Sequence, residues 1–176
     1  MPRHFSRDDW GAKPPRDRVI LSRSLVEGLA LHWPAITTPL GNPERVMSAL
    51  RAIQAAHMNT DQIAKGGASD IAYQVAIDQQ GNSYRLRGLR FRSAANGSRE
   101  VNEAFGAVLL VLADGEQPTP EMVKAVRGRV ARFRTIFPNG RDLVGHGDIR
   151  PGGTECPGPA VRRLLAAGRF EPRGAR

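Results

Sequence analysis

A continuous apolar run, FGAVLLVLA at residues 105–113, constrains this chain more than any other feature. It falls well short of the roughly 20 residues that a membrane-spanning helix needs. It is also too uniformly apolar to turn one face to water. Such a run suits a strand buried on both faces, as in a sheet with helices packed above and below it.

The flanking segments supply those partners. LVEGLALH (25–32) reads as a second buried strand, ending at His32. Asn42-Pro43-Glu44 then offers an N-cap, a proline at the first helical position and an acid in the first turn. Val46, Leu50, Ile53 and His57 follow along one helical face. DIAYQVAI (70–77) alternates, with Ile71, Tyr73, Val75 and Ile77 facing one way and Ala72, Gln74 and Ala76 the other. DQQGN is a turn and SYRLR its hairpin partner. Thr119-Pro120-Glu121 opens a helix with Met122, Val126, Val130, Phe133 and Phe137 on its inner stripe. RDLVGH (141–146) is a short strand, and a last helix spans roughly 159–167 before Gly168. The sum is an α/β chain with a central mixed β-sheet of about five strands flanked by about three helices. Its 176 residues suit a single domain over 1–176, with a core at about 6–168. No repeat or linker divides the chain.

Charge points to a partner without choosing it. Twenty-six Lys plus Arg against 17 Asp plus Glu give a net charge of +9, a field that draws polyanions such as nucleic acid, anionic lipid or anionic cell wall. The same arginines also suit a plain solvated surface. The polar start, MPRHFSRDDWGAKPPRDR, lacks the apolar stretch of a secretory signal, so no export by the ordinary route and no membrane insertion are expected. Cys156 is the sole cysteine, which excludes an internal disulfide and leaves buried filler, reactive thiol or metal ligand.

His32 and His146 each close an expected strand, and ligands gather at strand ends in open α/β sheets. Together with Cys156 they make a three-ligand zinc set with a fourth tetrahedral position open, the catalytic type of site. Two ordinary histidines and a buried cysteine remain the other reading, since the two imidazoles are far apart in sequence. Tyr73 is either core with a hydrogen-bonded tip or a phenolic donor. Thr154 either orients a reacting group or caps its loop.

GHGDIRPGGTECPGP (145–159) resembles the C-terminal metal motif of the peptidoglycan recognition protein and phage lysozyme-type amidases. SRDDWGAKPP, LALHWPA, QAAHMNT with DIAYQVAIDQQGNSYRLRG, NEAFGAVLLV and PTPEMVKAV are similar to that family's other segments, in the same order. The resemblance covers roughly residues 6–161. It implies the peptidoglycan recognition protein-like fold, Zn2+ as cofactor, and His32, His146 and Cys156 as its ligands. It also implies Tyr73 as the family's active-site tyrosine and Thr154 at a position where catalytic members carry Thr or Lys. The sequence does not settle which group is the general base, and Tyr73 is the better candidate. His57 becomes either a groove contact or a core histidine.

The implied activity is that of an N-acetylmuramoyl-L-alanine amidase. It would cut the muramic acid to L-alanine amide of peptidoglycan in a phage or prophage endolysin, a monomer held in the host cytoplasm until lysis. Two alternatives stand beside it: a non-catalytic peptidoglycan-binding module, and a basic nucleic-acid-binding protein, for which no motif argues. Trp33 follows His32 where many relatives have a second histidine or a small residue; it forms a groove wall or packs inward. NTDQIAKGGAS is longer than in many recognition proteins, and RFRSAANG lacks their further histidine.

Overall fold

The computed structural model describes residues 1–172 and 174. In chain order its elements are β1 (His4–Phe5), β2 (Gly28–His32), α1 (Pro43–Asn59), β3 (Val75–Ile77), β4 (Ser83–Arg85), α2 (Arg99–Ala104), β5 (Phe105–Leu110), α3 (Pro120–Ile136), β6 (Asp142–Gly145), α4 (His146–Ile149) and α5 (Pro159–Ala166). The strands form one mixed sheet in the order β1-β4-β3-β5-β2-β6. Every pairing is parallel except the β3–β4 hairpin.

The apolar run behaves as its composition demands. All six residues of β5 are buried, with Val108 and Leu110 facing one core and Leu109 the other. The first core packs under α3, through Met122, Val126, Val130, Phe133 and Phe137, and under α5 through Val161. The second packs under α1, through Val46 and Leu50, and under the N-terminal segment through Phe5 and Trp10. Asn42 caps α1 by accepting from the Arg45 amide at 2.9 Å, and Thr119 caps α3.

Six strands and five helices among the described residues exceed the five and three expected. The additions are short: β1 is two residues, α4 is four, and α2 is six residues capped by Ser98. None is long enough to impress a period on the sequence. The strand expected over 25–32 begins at Gly28, and Leu25 lies exposed.

The 70–77 segment departs most from expectation. Only Val75–Ile77 pairs as a regular strand, and the alternation breaks before it. Val75 and Ile77 face the α3 core, whereas Ile71 and Tyr73 pack with the α1 core. Gln74 causes the break. Its backbone amide donates to the Ala107 carbonyl, and its side-chain oxygen accepts from the Ala107 amide, both at 3.0 Å. Its side-chain nitrogen donates to the Leu89 and Phe91 carbonyls. A carboxamide thus stands in for ladder bonds, and residues 70–73 leave the sheet.

Those residues are held from below by Asp70, whose side chain is 1% exposed. Arg7 donates to both of its carboxylate oxygens at 2.8 and 3.2 Å, and Gln54 of α1 donates to Oδ1 at 2.7 Å. This network joins the N-terminal segment, α1 and the irregular segment that carries Tyr73 into β3. Asp70→Ala would leave a sheltered guanidinium without its counter-charge and the Gln54 carboxamide one acceptor short, with only the carbonyls of Leu86 and Lys13 still accepting from them. It should lower stability by about 3–5 kcal/mol in urea denaturation, the scale for breaking a buried pair; a loss under about 1 kcal/mol would contradict this.

Candidate metal centre and groove

β2 and β6 are parallel neighbours with Leu31 opposite Gly145. The next residues, His32 as the last of β2 and His146 as the first of α4 directly after β6, therefore emerge side by side, with ring centroids 4.4 Å apart. The strand expected over 141–146 ends at Gly145. Cys156 reaches them from the loop between α4 and α5, its Sγ 3.9 Å from His32 Nδ1. One ligating atom from each residue lies within 4.8 Å of the others.

The cysteine loop is docked by contacts that spacing does not reveal. The Gly147 amide donates to the Cys156 carbonyl at 2.8 Å. From α5, Arg162 Nη2 donates to the carbonyls of Thr154 and Cys156 at 2.7 and 3.0 Å, and Nη1 to Asp148 Oδ1 at 3.1 Å. A Cβ on residue 147 would strike both that guanidinium and the Thr154 carbonyl. Only glycine lets the loop close here.

Hydrogen bonding sets which nitrogen of His32 is free. Asn96 donates through Nδ2 to the Phe105 carbonyl at 2.8 Å and to Ser93 Oγ at 3.2 Å, which turns its Oδ1 toward His32. His32 Nε2 therefore donates to that oxygen at 3.0 Å, leaving an Nδ1 lone pair on the cysteine side. Burial, reinforced by neighbouring His146, pushes the His32 pKa down to about 3. Burial and Arg150 push His146 to about 4. Burial raises Cys156 to about 11, against the opposing pull of the Trp33 N–H, which donates to Sγ at 3.4 Å.

This donor set fits a zinc ion. Both imidazoles are neutral, as ligands must be. The buried Nε2 of His146 has no hydrogen-bond partner among the described residues, and such orphans call for an explanation. Zinc bonds of about 2.0–2.1 Å to nitrogen and 2.3 Å to sulfur put tetrahedral donors roughly 3.3–3.6 Å apart, against 3.9 Å between Cys156 Sγ and His32 Nδ1 and at most 4.8 Å across the cluster, so the donors would draw together around an ion.

The remaining candidates divide between groove and core. Tyr73 stands edge-on to His32, centroids 5.3 Å apart. With His146 it lines a groove of about 530 Å3. Burial and the Cys156 sulfur raise its pKa, so its phenol keeps its proton at neutral pH. One groove wall is the long 62–69 segment; others bring Arg87, Arg92, Arg99 and Arg150. Arg92 and Arg99 share Glu103, while Arg87 spends its donors on the carbonyls of Asp70, Ile71 and Arg92.

Thr154 Oγ1 accepts from the Cys156 amide at 3.4 Å, the loop-capping alternative. The half-buried Trp33 ring lies against Gly158 and lines a separate cavity of about 120 Å3; it is not among the described residues that line the groove. His57 is a core histidine. Its Nδ1 accepts from the Ala72 amide at 3.0 Å, which holds the residue before Tyr73. Asn96, Gly147 and Arg162 escaped the sequence reading, because each works through backbone carbonyls or a neighbour remote along the chain.

His57 carries a pH signature. Burial, with Arg87 nearby, lowers its pKa to about 4, against about 6.5 in an unfolded chain. The unfolded state takes the proton first, so stability is full above about pH 6.5 and falls as pH drops toward about 4, by up to roughly 3 kcal/mol. In chelator-treated protein, His57→Gln should flatten that acid slope relative to wild type. Identical slopes would refute the assignment.

No protein-family model matches the sequence, and neither does any curated protein. Solved structures do match. Drosophila PGRP-LB superposes with a TM-score of 0.78 at 23% identity, over 100% of both chains. A tyrosine-to-phenylalanine variant of Drosophila PGRP-LB in complex with tracheal cytotoxin gives 0.77 at 24% identity over 96% of each chain. Drosophila peptidoglycan recognition protein SD gives 0.74 at 21% identity over 94% of each. At these identities the likeness is one of architecture: the chain folds as the peptidoglycan recognition proteins do.

Proposed function

We propose that the protein is a zinc-dependent N-acetylmuramoyl-L-alanine amidase. The observation that supports this best is the meeting of His32, His146 and Cys156 at one end of the sheet, within 4.8 Å, beside a groove lined by Tyr73. The fold shared with a recognition protein solved with tracheal cytotoxin supports a peptidoglycan fragment as ligand.

Zinc, when bound, supplies Lewis acidity that acidifies water and polarises a carbonyl. The chain supplies the rest. Asn96 holds His32 in the tautomer with Nδ1 free. Cys156 gives up its proton on binding the ion, while the histidines arrive neutral. Tyr73, protonated in this setting, donates to the oxygen on which charge develops as the amide is attacked. Its first role is thus donor, where the sequence suggested a base. Arg150 has no ion pair among the described residues and faces the groove beside His146, placed to meet a stem-peptide carboxylate.

Purified protein should hold about one zinc ion, release one proton on loading near pH 7, and free L-alanyl peptides from peptidoglycan. His146→Ala and Cys156→Ser should lose zinc and turnover together. Tyr73→Phe should keep zinc and lose about 10²-fold or more in kcat. Zinc with muropeptide binding but no cleavage would instead indicate a binding module, and no zinc would end the proposal.

An endolysin role, with the enzyme waiting in the host cytoplasm and then acting on the wall, belongs to the same proposal. The net charge of +9 supports attraction to anionic wall polymers. Cell-wall lysis should therefore fall steeply between about 50 and 500 mM salt, as screening shortens from roughly 14 to 4 Å. A small soluble muropeptide should be cut with little change, and equal salt sensitivity of both would count against the charge argument.

A further inference from the structure

We propose that the pocket between β1, β4 and α3, at the opposite edge of the sheet from the His–His–Cys cluster, is a second ligand site that binds a phosphate-class anion. It has a volume of about 430 Å3, and its polar lining consists of His4, Ser83, Arg85, Arg90, Arg129 and Arg132. No carboxylate lines it. None of its four guanidinium groups has an ion-pair partner among the described residues.

Arg129 is the telling member. It is partly buried, it donates from Nη2 to Ser83 Oγ at 3.0 Å, and its buried Nε has no hydrogen-bond partner among the described residues. Ser83 Oγ in turn lies 2.5 Å from His4 Nδ1. Arg132, one turn further along α3, adds like charge that opposes the Arg129 cation, on top of the larger effect of burial. Elsewhere Arg7 is paired with Asp70, Arg92 with Glu103 and Arg134 with Glu171, and buried Arg87 is met by the carbonyls of Asp70, Ile71 and Arg92. Arg129 has Ser83 Oγ and neither an acid nor a carbonyl among the described residues. Gathering like charges with one donor left buried and unmet is unfavourable, and an anion in the pocket reverses both costs. A neighbouring cavity of about 580 Å3 shares His4, Ser83 and Arg129 and adds Lys124 and Glu121.

Several guanidinium forks converging on one space suit a tetrahedral oxyanion with three or four oxygens better than a carboxylate with two. The ligand is therefore a phosphate, free or as a phosphodiester on a polymer. The inference does not depend on the amidase reading.

The test is a titration of the isotope-labelled full chain at constant ionic strength, following arginine Nε–H resonances by NMR. The probes are inorganic phosphate and a glycerol-phosphate polymer. Saturable shifts are expected at Arg129. Arg85→Gln with Arg90→Gln, both on exposed side chains, should weaken binding by about tenfold, or 1.4 kcal/mol. Arg45→Gln with Arg141→Gln removes the same charge elsewhere and should change it less than about twofold. Binding confined to the polymer assigns a polymer-borne phosphodiester; equal binding per phosphate assigns the free anion. Arg129→Gln should abolish binding if it folds, and the exposed pair decides the matter if it does not. No saturable shift at Arg129, or equal weakening by the two double variants, overturns the site. Zinc content and muropeptide cleavage, measured on the same variants, report separately on the metal centre.

Discussion

The parallel register of β2 against β6 is the constraint on which the candidate site depends. Leu31 pairs with Gly145, so two histidines remote in sequence leave adjacent strand ends together. A slip of one residue would turn either side chain to the other face of the sheet. The burial of Leu29 and Leu31 against the α3 core guards against that slip. The apolar patterning of the strands thus secures the geometry of polar groups at their ends.

Around that pair the molecule uses buried polar groups as fasteners rather than as titrating switches. Asp70 ties the N-terminal segment to α1, Gln74 replaces ladder bonds, Asn96 orients His32, and Arg162 closes the cysteine loop. Each satisfies several partners at once, which makes its burial tolerable. Burial also keeps the three histidines near the groove neutral and the Cys156 thiol protonated.

The excess of arginine is not spread evenly in its consequences. In the groove, Arg92 and Arg99 are answered by Glu103 and Arg87 by carbonyls, and of the described arginines there Arg150 alone has neither. Across the sheet, Arg85, Arg90, Arg129 and Arg132 face a shared space without an acid. Net charge alone predicts attraction to polyanions; the difference between these two surfaces says where on the molecule that attraction has a shape.

The sequence by itself determined the layered α/β architecture. Its long elements carry strong periods: the 105–113 run, the stripe of α3 and the capped start of α1 all appear as their composition requires. It also supplied the three metal-capable residues, since His32 ends one strand, His146 directly follows another and Cys156 comes after in a loop rich in glycine and proline. Tertiary structure decided the rest. Alternation over 70–77 suggested one straight strand, but the Gln74 side chain, bonded to residues 15 to 33 positions away, bends the chain and delivers Tyr73 to the groove. Trp33 and His57 each had two readings, and only folding sets the Trp33 ring against Gly158 and brings the Ala72 amide to His57 Nδ1. Local sequence records periodicity because neighbours along the chain share a face. It does not record partners brought together by folding, and every residue that orients this site does so through such a partner.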